Sequence, residues 1–315
     1  MLSPDRLLLL QTVARTGSYS AAARELGFSQ PAISYQMRCL ETEIGTPLSV
    51  RVGASMRLTP AGQALLPHAD AILAAVRAAE RELATFVGSS AGTLGLGAFP
   101  SSCATVVPAA IAELRRQLPD VQVRLVQAEP PRCHDLVRQG ELDLGLSYRF
   151  ADPGAAGSIA TPKLGQPRRI PLFVDEVRLM LPVDHPAARR KLVKLADLAG
   201  DTWILASRRF EDLLHAAAGA AKFEPKTMLV ADDYVVMQSL AAHGLGVTLV
   251  PELALAAHRD ERLVARTLVG WPDRQVEVEL WPDQLRVPAV AAMLAALQAA
   301  VPAARGKFGS AGRTA

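Results

Sequence analysis

Residues 17–41 read Gly17-Ser18-Tyr19-Ser20-Ala21-Ala22-Ala23-Arg24-Glu25-Leu26-Gly27-Phe28-Ser29-Gln30-Pro31-Ala32-Ile33-Ser34-Tyr35-Gln36-Met37-Arg38-Cys39-Leu40-Glu41. Ser20 is placed to cap a short helix over residues 21–26, whose three alanines allow close packing, and Gly27 supplies a tight turn. Ser29 can cap a second, longer helix from Gln30 to about Glu43, with Pro31 acceptable in its first turn. Two short helices joined by a glycine-containing turn make a helix-turn-helix unit. On the longer helix Ile33, Met37 and Leu40 recur at i, i+4 and i+7 and face a core. That leaves Gln30, Ser34 and Arg38 stacked on another face, with Tyr35 beside them. Gln pairs bidentately with adenine, Ser and Tyr reach bases or phosphate, and Arg brings charge to the backbone. The same spacing also describes an ordinary solvated helix face, so the flanking sequence has to decide.

Upstream, residues 5–16 carry an apolar stripe of Leu9, Leu10 and Val13, and Gly17 suits a helix stop. Downstream, residues 48–51 and 57–59 around Gly53-Ala54-Ser55 suit a β-hairpin wing that sets Arg51 and Arg57 near a phosphate backbone. A winged helix-turn-helix over residues 1–59 is the simplest reading. Thr59 is a good N-cap with Pro60 behind it, and residues 60–86 are Ala-rich without a turn dipeptide, which predicts one helix about 40 Å long. Pro67 inside it should remove one backbone bond and bend it slightly. Leu65, Ala69, Ile72, Val76, Ala79, Leu83 and Phe86 alternate four and three apart, the seam of a two-stranded coiled coil; a helix packed on its own body is the competing reading. A turn-like Gly88-Ser89-Ser90-Ala91-Gly92 closes this linker, taken as residues 60–88.

The chain has 315 residues, of which 50% are hydrophobic and 5% aromatic, which excludes a disordered chain and a disulfide-stapled scaffold. Its 34 Lys plus Arg against 31 Asp plus Glu give a net charge of +3, too small to mark the whole chain as a nucleic-acid binder. Any such surface is therefore local. No run approaches the ~18 to 20 apolar residues of a membrane span, and a cytoplasmic protein is expected. The odd set Cys39, Cys103 and Cys133, without a CxxC, reads as reduced structural thiols. Cys103 and Cys133 sit near predicted helix starts, where a thiol pKa can fall, so a redox role is a lesser alternative.

From Thr93 onward strands and helices alternate as a parallel α/β sheet requires. Strands are predicted at residues 93–98, 121–127 and 142–147, with helices at about 104–117 and 133–139. After a Gly/Pro-rich segment, residues 151–167, strands follow near 177–182, 203–205, 226–230 and 246–250, with helices around 211–220 and 235–243. The body, residues 92–301, is expected to split around 161–170 into lobe I (about 92–165 and 268–301) and lobe II (about 169–265), and residues 302–315 to form a flexible tail. Open α/β sheets bind ligands at the carboxyl ends of their strands, and two lobes enclose a cleft. Ser101 and Ser102 open a helix, where backbone N–H groups favour a carboxylate-like anion; simple capping explains them equally well.

Catalysis finds little support. His185 and His243 have no paired nucleophile, and Cys133-His134 alone do not make a metal site. Gly244 and Gly246 follow a helix and precede a strand, the reverse of a phosphate-cradling loop. No catalytic residue, metal or cofactor is expected.

The run 17–41, followed by Arg57-Leu58-Thr59-Pro60-Ala61-Gly62, closely resembles the LysR-type transcriptional regulators. The resemblance implies that Ser29, Gln30, Pro31, Ser34 and Tyr35 lie at the DNA-reading edge and that Arg38 contacts phosphate. It extends over nearly the whole chain through Leu118-Pro119-Asp120-Val121, Gly140-Glu141-Leu142-Asp143, His185-Pro186, Phe223-Glu224-Pro225 and residues 244–251. These are similar to landmarks of the family's effector-binding domain, itself similar to periplasmic solute-binding proteins. Carried over by position, Ser101, Ser102, Tyr148, Ser207, Asp232 and Thr248 would line the effector cleft. The family usually has an aromatic residue where this chain has Ser49, and basic residues where its wing tip reads Val52-Gly53-Ala54-Ser55-Met56. A loosely packed wing with low non-specific affinity is therefore expected. The implied function is ligand-responsive regulation of transcription by a dimer or tetramer on inverted-repeat promoter DNA. The alternatives are a solute-binding module whose head contacts protein, and a small-molecule enzyme on the same body.

Overall fold

In the computed structural model, which describes residues 2–86, 92–151 and 166–306, the N-terminal head is built from α1 (Pro4–Thr16), α2 (Tyr19–Leu26) and α3 (Gln30–Ile44). The wing follows as β1 (Ser49–Val52) and β2 (Ser55–Leu58). Ile33, Met37 and Leu40 join Leu9, Leu10, Val13 and two α2 alanines in one buried core. The cap of α2 is Ser18, whose side chain accepts from the Ala21 N–H, and not Ser20, which lies inside the helix. Gly17 already stops α1, so the next extended residue takes the cap position.

The wing is an antiparallel pair turned at Gly53-Ala54, with Val52 opposite Ser55. It is tied down, contrary to the loose packing expected from Ser49. The Glu41 carboxylate accepts from the Leu48 and Ser49 N–H groups at 2.8 and 3.1 Å, and the Ser49 hydroxyl lies 2.7 Å from that of Tyr19. A second tie is the Met56 N–H, which donates to the Gly17 carbonyl at 2.7 Å. Polar contacts thus hold the wing against the helices.

The linker helix α4 spans Pro60–Phe86, with the Thr59 hydroxyl accepting from the Gly62 N–H at 3.1 Å. Its predicted seam is divided. Ala69 is buried against Leu7 of α1 together with Leu73, while Ile72 and Leu83 remain exposed. The side chain of Phe86 lies outside the described residues, as do residues 88–91 of the predicted turn. One face of α4 is therefore consumed within the chain, because the head docks on it, and a narrower exposed stripe remains.

The body comprises β3 (Thr93–Ala98), α5 (Pro100–Cys103), α6 (Val106–Gln117), β4 (Gln122–Gln127), α7 (Pro130–Arg138), β5 (Leu144–Phe150), β6 (Arg168–Asp175) and β7 (Val177–Pro182). It continues through β8 (Leu192–Val193), β9 (Thr202–Leu205), α8 (Arg208–Ala220), β10 (Lys226–Val230), α9 (Tyr234–Ala242), β11 (Val247–Pro251) and α10 (Glu252–Ala257). The last elements are β12 (Leu263–Leu268), β13 (Arg274–Leu280) and α11 (Pro288–Gly306). Lobe I is a five-stranded sheet ordered β4-β3-β5-β13-β6, and lobe II a six-stranded sheet ordered β10-β9-β11-β7-β12-β8.

This corrects the expected lobe boundaries. Residues 168–175 form an edge strand of lobe I paired with β13, so the chain crosses to lobe II at Glu176 and returns between Leu268 and Arg274. Residues 161–165 of the predicted divide, with residues 152–160 of the Gly/Pro-rich segment, lie outside the described residues. The expected flexible tail is also shortened, since α11 continues to Gly306; its Val290, Met293, Leu297 and Ala300 pack in the lobe I core and carry the helix onward. The remainder of the tail, 307–315, is not among the described residues.

Candidate nucleic-acid interface and effector cleft

The exposed side of α3 presents Gln30, Pro31, Tyr35 and Arg38 to solvent, with Ser34 half-buried between them. Ser29 caps α3 by accepting from the Ala32 N–H. Six arginines precede Thr59, and ion pairing sorts them. Arg6 pairs with Glu43 at 3.0 Å and Arg15 with Glu25. Among the described residues Arg24, Arg38, Arg51 and Arg57 form no ion pair, and all four are exposed. Arg51 donates from Nε to the carbonyl of Gly53, which holds its side chain along the wing turn at 3.2 Å. Arg24 was missed in the sequence, where it sits beside Glu25 and reads as balanced; the structure gives Glu25 to Arg15.

In the body, Arg274 is fully buried where the two lobes meet. Its Nε donates to Asp175 at 3.0 Å and its Nη2 to the Ser101 hydroxyl at 2.9 Å. The guanidinium lies 4.5 Å from the Tyr148 ring centroid and 5.0 Å from that of Phe99. Burial opposes its charge, but Asp175 and the neighbouring tyrosines outweigh burial and raise its pKa further. Asp175 also accepts from the Leu253 N–H at 3.0 Å, so the pair is stitched to the segment after β11. Tyr148 donates to Glu129 at 2.8 Å, and burial, opposed by that bond, raises the Glu129 carboxyl above its ordinary value. Burial likewise pushes the Tyr234 hydroxyl up to about 12.

Around this pair the rings of Phe99, Tyr148, Phe150 and Phe210 meet edge to face at 5.1, 5.8 and 5.1 Å, and Trp271 stacks on Phe210 at 6.2 Å. The ladder runs from lobe I into lobe II, so the lobes share an aromatic seam. Of the residues expected in the cleft, Ser101 and Tyr148 meet at Arg274, and Asp232 lies close enough to Glu129 to raise its pKa. Ser102 does not join them: its hydroxyl donates to the Phe99 carbonyl at 2.7 Å and closes the turn of α5. The hydroxyls of Ser207 and Thr248, from lobe II, are buried and form no hydrogen bond among the described residues. Sequence reasoning missed Arg274 and Asp175. They lie 99 residues apart, and neither carries a local signal that would mark it as buried.

Burial pushes the Cys103 thiol up to about 11 and the Cys133 thiol up to about 12, which runs against the lowering a helix start would give. Cys103 ends the single turn of α5, and Cys133 lies in α7 beneath the lobe I sheet. Among the described residues no group of three or more His, Cys, Asp or Glu is arranged to hold a metal ion.

A winged helix-turn-helix on a long helix, joined to a two-lobed α/β body with a polar inter-lobe site, defines a DNA-binding regulator with an effector domain. Sequence comparison agrees with that class. The family profile "Bacterial regulatory helix-turn-helix protein, lysR family" matches residues 4–63, and "LysR substrate binding domain" matches residues 88–302. The chain belongs to the LysR family of transcriptional regulators.

The chain is 32% identical over 280 residues to the HTH-type transcriptional regulator CbbR of Xanthobacter flavus, covering 85% of this chain and 78% of that protein. It is 30% identical over 243 residues to the Hca operon transcriptional activator HcaR of Escherichia coli, covering 76% and 78%. The fold is shared with ArgP from Mycobacterium tuberculosis (TM-score 0.63, 22% identity, 95% and 97% of the two chains). It is also shared with full-length CbnR in complex with its target DNA (TM-score 0.52, 22% identity, 95% and 100%).

Proposed function

We propose that this chain binds an inverted-repeat promoter site as a dimer or tetramer in the cytoplasm, and that a small carboxylate-bearing metabolite, taken into the cleft between its lobes, sets its activity. Ser29, Gln30, Pro31, Ser34 and Tyr35 form the reading edge, and Arg38, Arg51 and Arg57, joined by Arg24, meet phosphates. The observation that carries this reading is the exposed α3 face together with four exposed arginines of the head that form no ion pair among the described residues. The exposed stripe of α4 around Ile72 and Leu83 supplies the contact with a second copy. Ser101, Ser102, Tyr148, Ser207, Asp232 and Thr248 line the cleft, with Ser101 and Tyr148 at the Arg274 pair and Ser102 closing the turn of α5 beside them, and the ligand acts by binding one arrangement of the lobes better than another. No catalytic step is assigned to it.

The test is duplex binding at several salt concentrations. Gln30→Ala should weaken binding to the cognate site more than to random DNA, by about 1 to 3 kcal/mol at the read base pair. Arg38→Ala should weaken both and flatten the salt dependence by about one phosphate contact. Equal losses on cognate and random DNA for Gln30→Ala would remove it from base reading.

A further inference from the structure

Lobe I meets the linker helix along a narrow seam. Asp70 of α4 is fully buried there, and its carboxylate serves both sides. Oδ1 accepts from Gln11 Nε2 of α1 at 2.6 Å, and Oδ2 accepts from Arg138 Nη1 at the end of α7. Further along α4, a Cβ on Gly140 would come within 3.0 Å of the Ala74 Cα, and Arg77 donates from Nη1 to the Gln139 carbonyl. Positions 70, 74 and 77 share one face of α4, so three contacts bind it to the C-terminal end of α7. That end is itself fixed in lobe I, where Trp281 Nε1 donates to the Val137 carbonyl at 3.0 Å.

Among the described residues the apolar cores do not cross this seam. Leu7, Ala69 and Leu73 close one core on the head side, and Cys133, Leu136, Val137 and Leu142 belong to another in lobe I. Beside the seam lies a cavity of about 710 Å³, lined by Gln11, Arg15 and Glu25 of the head and by Arg132 and Glu141 of lobe I. Units joined by a small polar contact, without a shared apolar core, move relative to one another. Docking strips water from Asp70, whose carboxyl is raised by burial above its ordinary value, and the Arg138 pair offsets that cost. Undocking returns water to the carboxylate and leaves Gln11 on it, since α1 stays packed on α4 through Leu7. The contact is therefore poised, and Arg138 decides it.

We infer that Asp70 is a positioning residue, a latch that holds the linker helix and its head at one angle to lobe I of the same chain and frees them when Arg138 lets go. That angle sets the spacing two heads can span on DNA. This consequence rests on the dimer proposed above, whereas the latch does not.

The experiment is a spin-label distance measurement on the full chain, with labels at Ser20→Cys of α2 and Ala295→Cys of α11, both exposed positions. Cys39 is replaced by Ser, and Cys103 and Cys133 stay unlabelled because burial pushes their thiols up to about 11 and about 12. Labelled chain is exchanged into an excess of unlabelled chain, so that only distances within one chain are read. The parent should give one narrow distribution. Arg138→Gln should raise the ratio of displaced to docked distances about tenfold or more, as loss of a charge-assisted hydrogen bond does, and Asp70→Asn should shift it in the same direction. Asp135→Asn removes the other carboxylate near Arg138, a residue whose side chain is 55% exposed, and should leave the ratio within about twofold. The unfolding midpoint of the body, followed by tryptophan fluorescence, should not move in any of the three, which separates a change of angle from a loss of fold. A broad distribution in the parent, unchanged distances in Arg138→Gln and Asp70→Asn, or an equal shift in Asp135→Asn overturns the latch. So does a lowered midpoint without displaced distances. None of these readings needs DNA or a ligand, so the latch and the proposed function fail separately.

Discussion

Removing the Asp175 carboxylate tests whether the pair at the lobe junction holds the body together. Asp175 and Arg274 side chains are each 1% exposed, so Asp175→Ala strands a guanidinium that water cannot reach. Breaking a buried pair from one side costs about 3 to 5 kcal/mol. The Leu253 N–H also loses its acceptor, adding about 1 kcal/mol or more. Ser101 and the rings of Tyr148 and Phe99 still face the stranded charge and offset part of this. A net loss of about 4 kcal/mol is expected, a large share of the ~5 to 15 kcal/mol that typically holds a domain. Urea unfolding followed by tryptophan fluorescence measures it, since all three tryptophans, Trp203, Trp271 and Trp281, lie in the body. Combining Asp175→Ala with Arg274→Met leaves no unpaired charge and should recover at least ~2 kcal/mol relative to the sum of the single variants. A loss below about 1 kcal/mol for Asp175→Ala, or strict additivity in the double variant, would refute the reasoning.

Glu41→Ala removes the acceptor for two wing N–H groups and should cost the head about 1 to 2 kcal/mol, seen as earlier proteolysis of the wing with the body unchanged. Gly140→Ala places a Cβ 3.0 Å from the Ala74 Cα at a φ of +71°, whereas Gly45→Ala meets nothing within 4 Å at a φ of +82°. Both incur about 1 to 2 kcal/mol of left-handed strain. Thermal melting should show a larger drop for Gly140→Ala, the excess measuring how tightly the linker helix seats on α7. The thiols of Cys103 and Cys133, pushed up to about 11 and about 12, should be roughly 10⁻³ and 10⁻⁴ ionised at pH 8 and resist a disulfide reagent until unfolding. Rapid modification of native Cys133 would contradict its burial.

Several elements were legible in residue order because their signals are local. Thr59 and Pro60 mark the start of α4, and the strands at 93–98, 177–182 and 226–230 have the bounds their apolar runs predict. The strand Arg168–Asp175 was not legible. It carries Pro171 and follows a Gly/Pro-rich segment, both of which argue against a strand. It survives because it is an edge strand, with an irregular register between Val276 and Glu277 close to the proline. Missing it displaced the lobe boundary, and with it the junction where Asp175 lies.

The sequence by itself determined the reading head, the long helix and the α/β grammar of the body. Caps, turns and apolar periods act within one or two helical turns and are written in neighbouring residues. Tertiary structure alone decided which charges are free and which are buried. Glu25 is taken by Arg15, so Arg24 forms no ion pair among the described residues, and Glu41 holds the wing. Arg274 finds Asp175 across the two chain crossings. The worth of a charge depends on the dielectric around it and on partners that only the closed chain brings within a few ångströms, and neither is a property of the residues beside it.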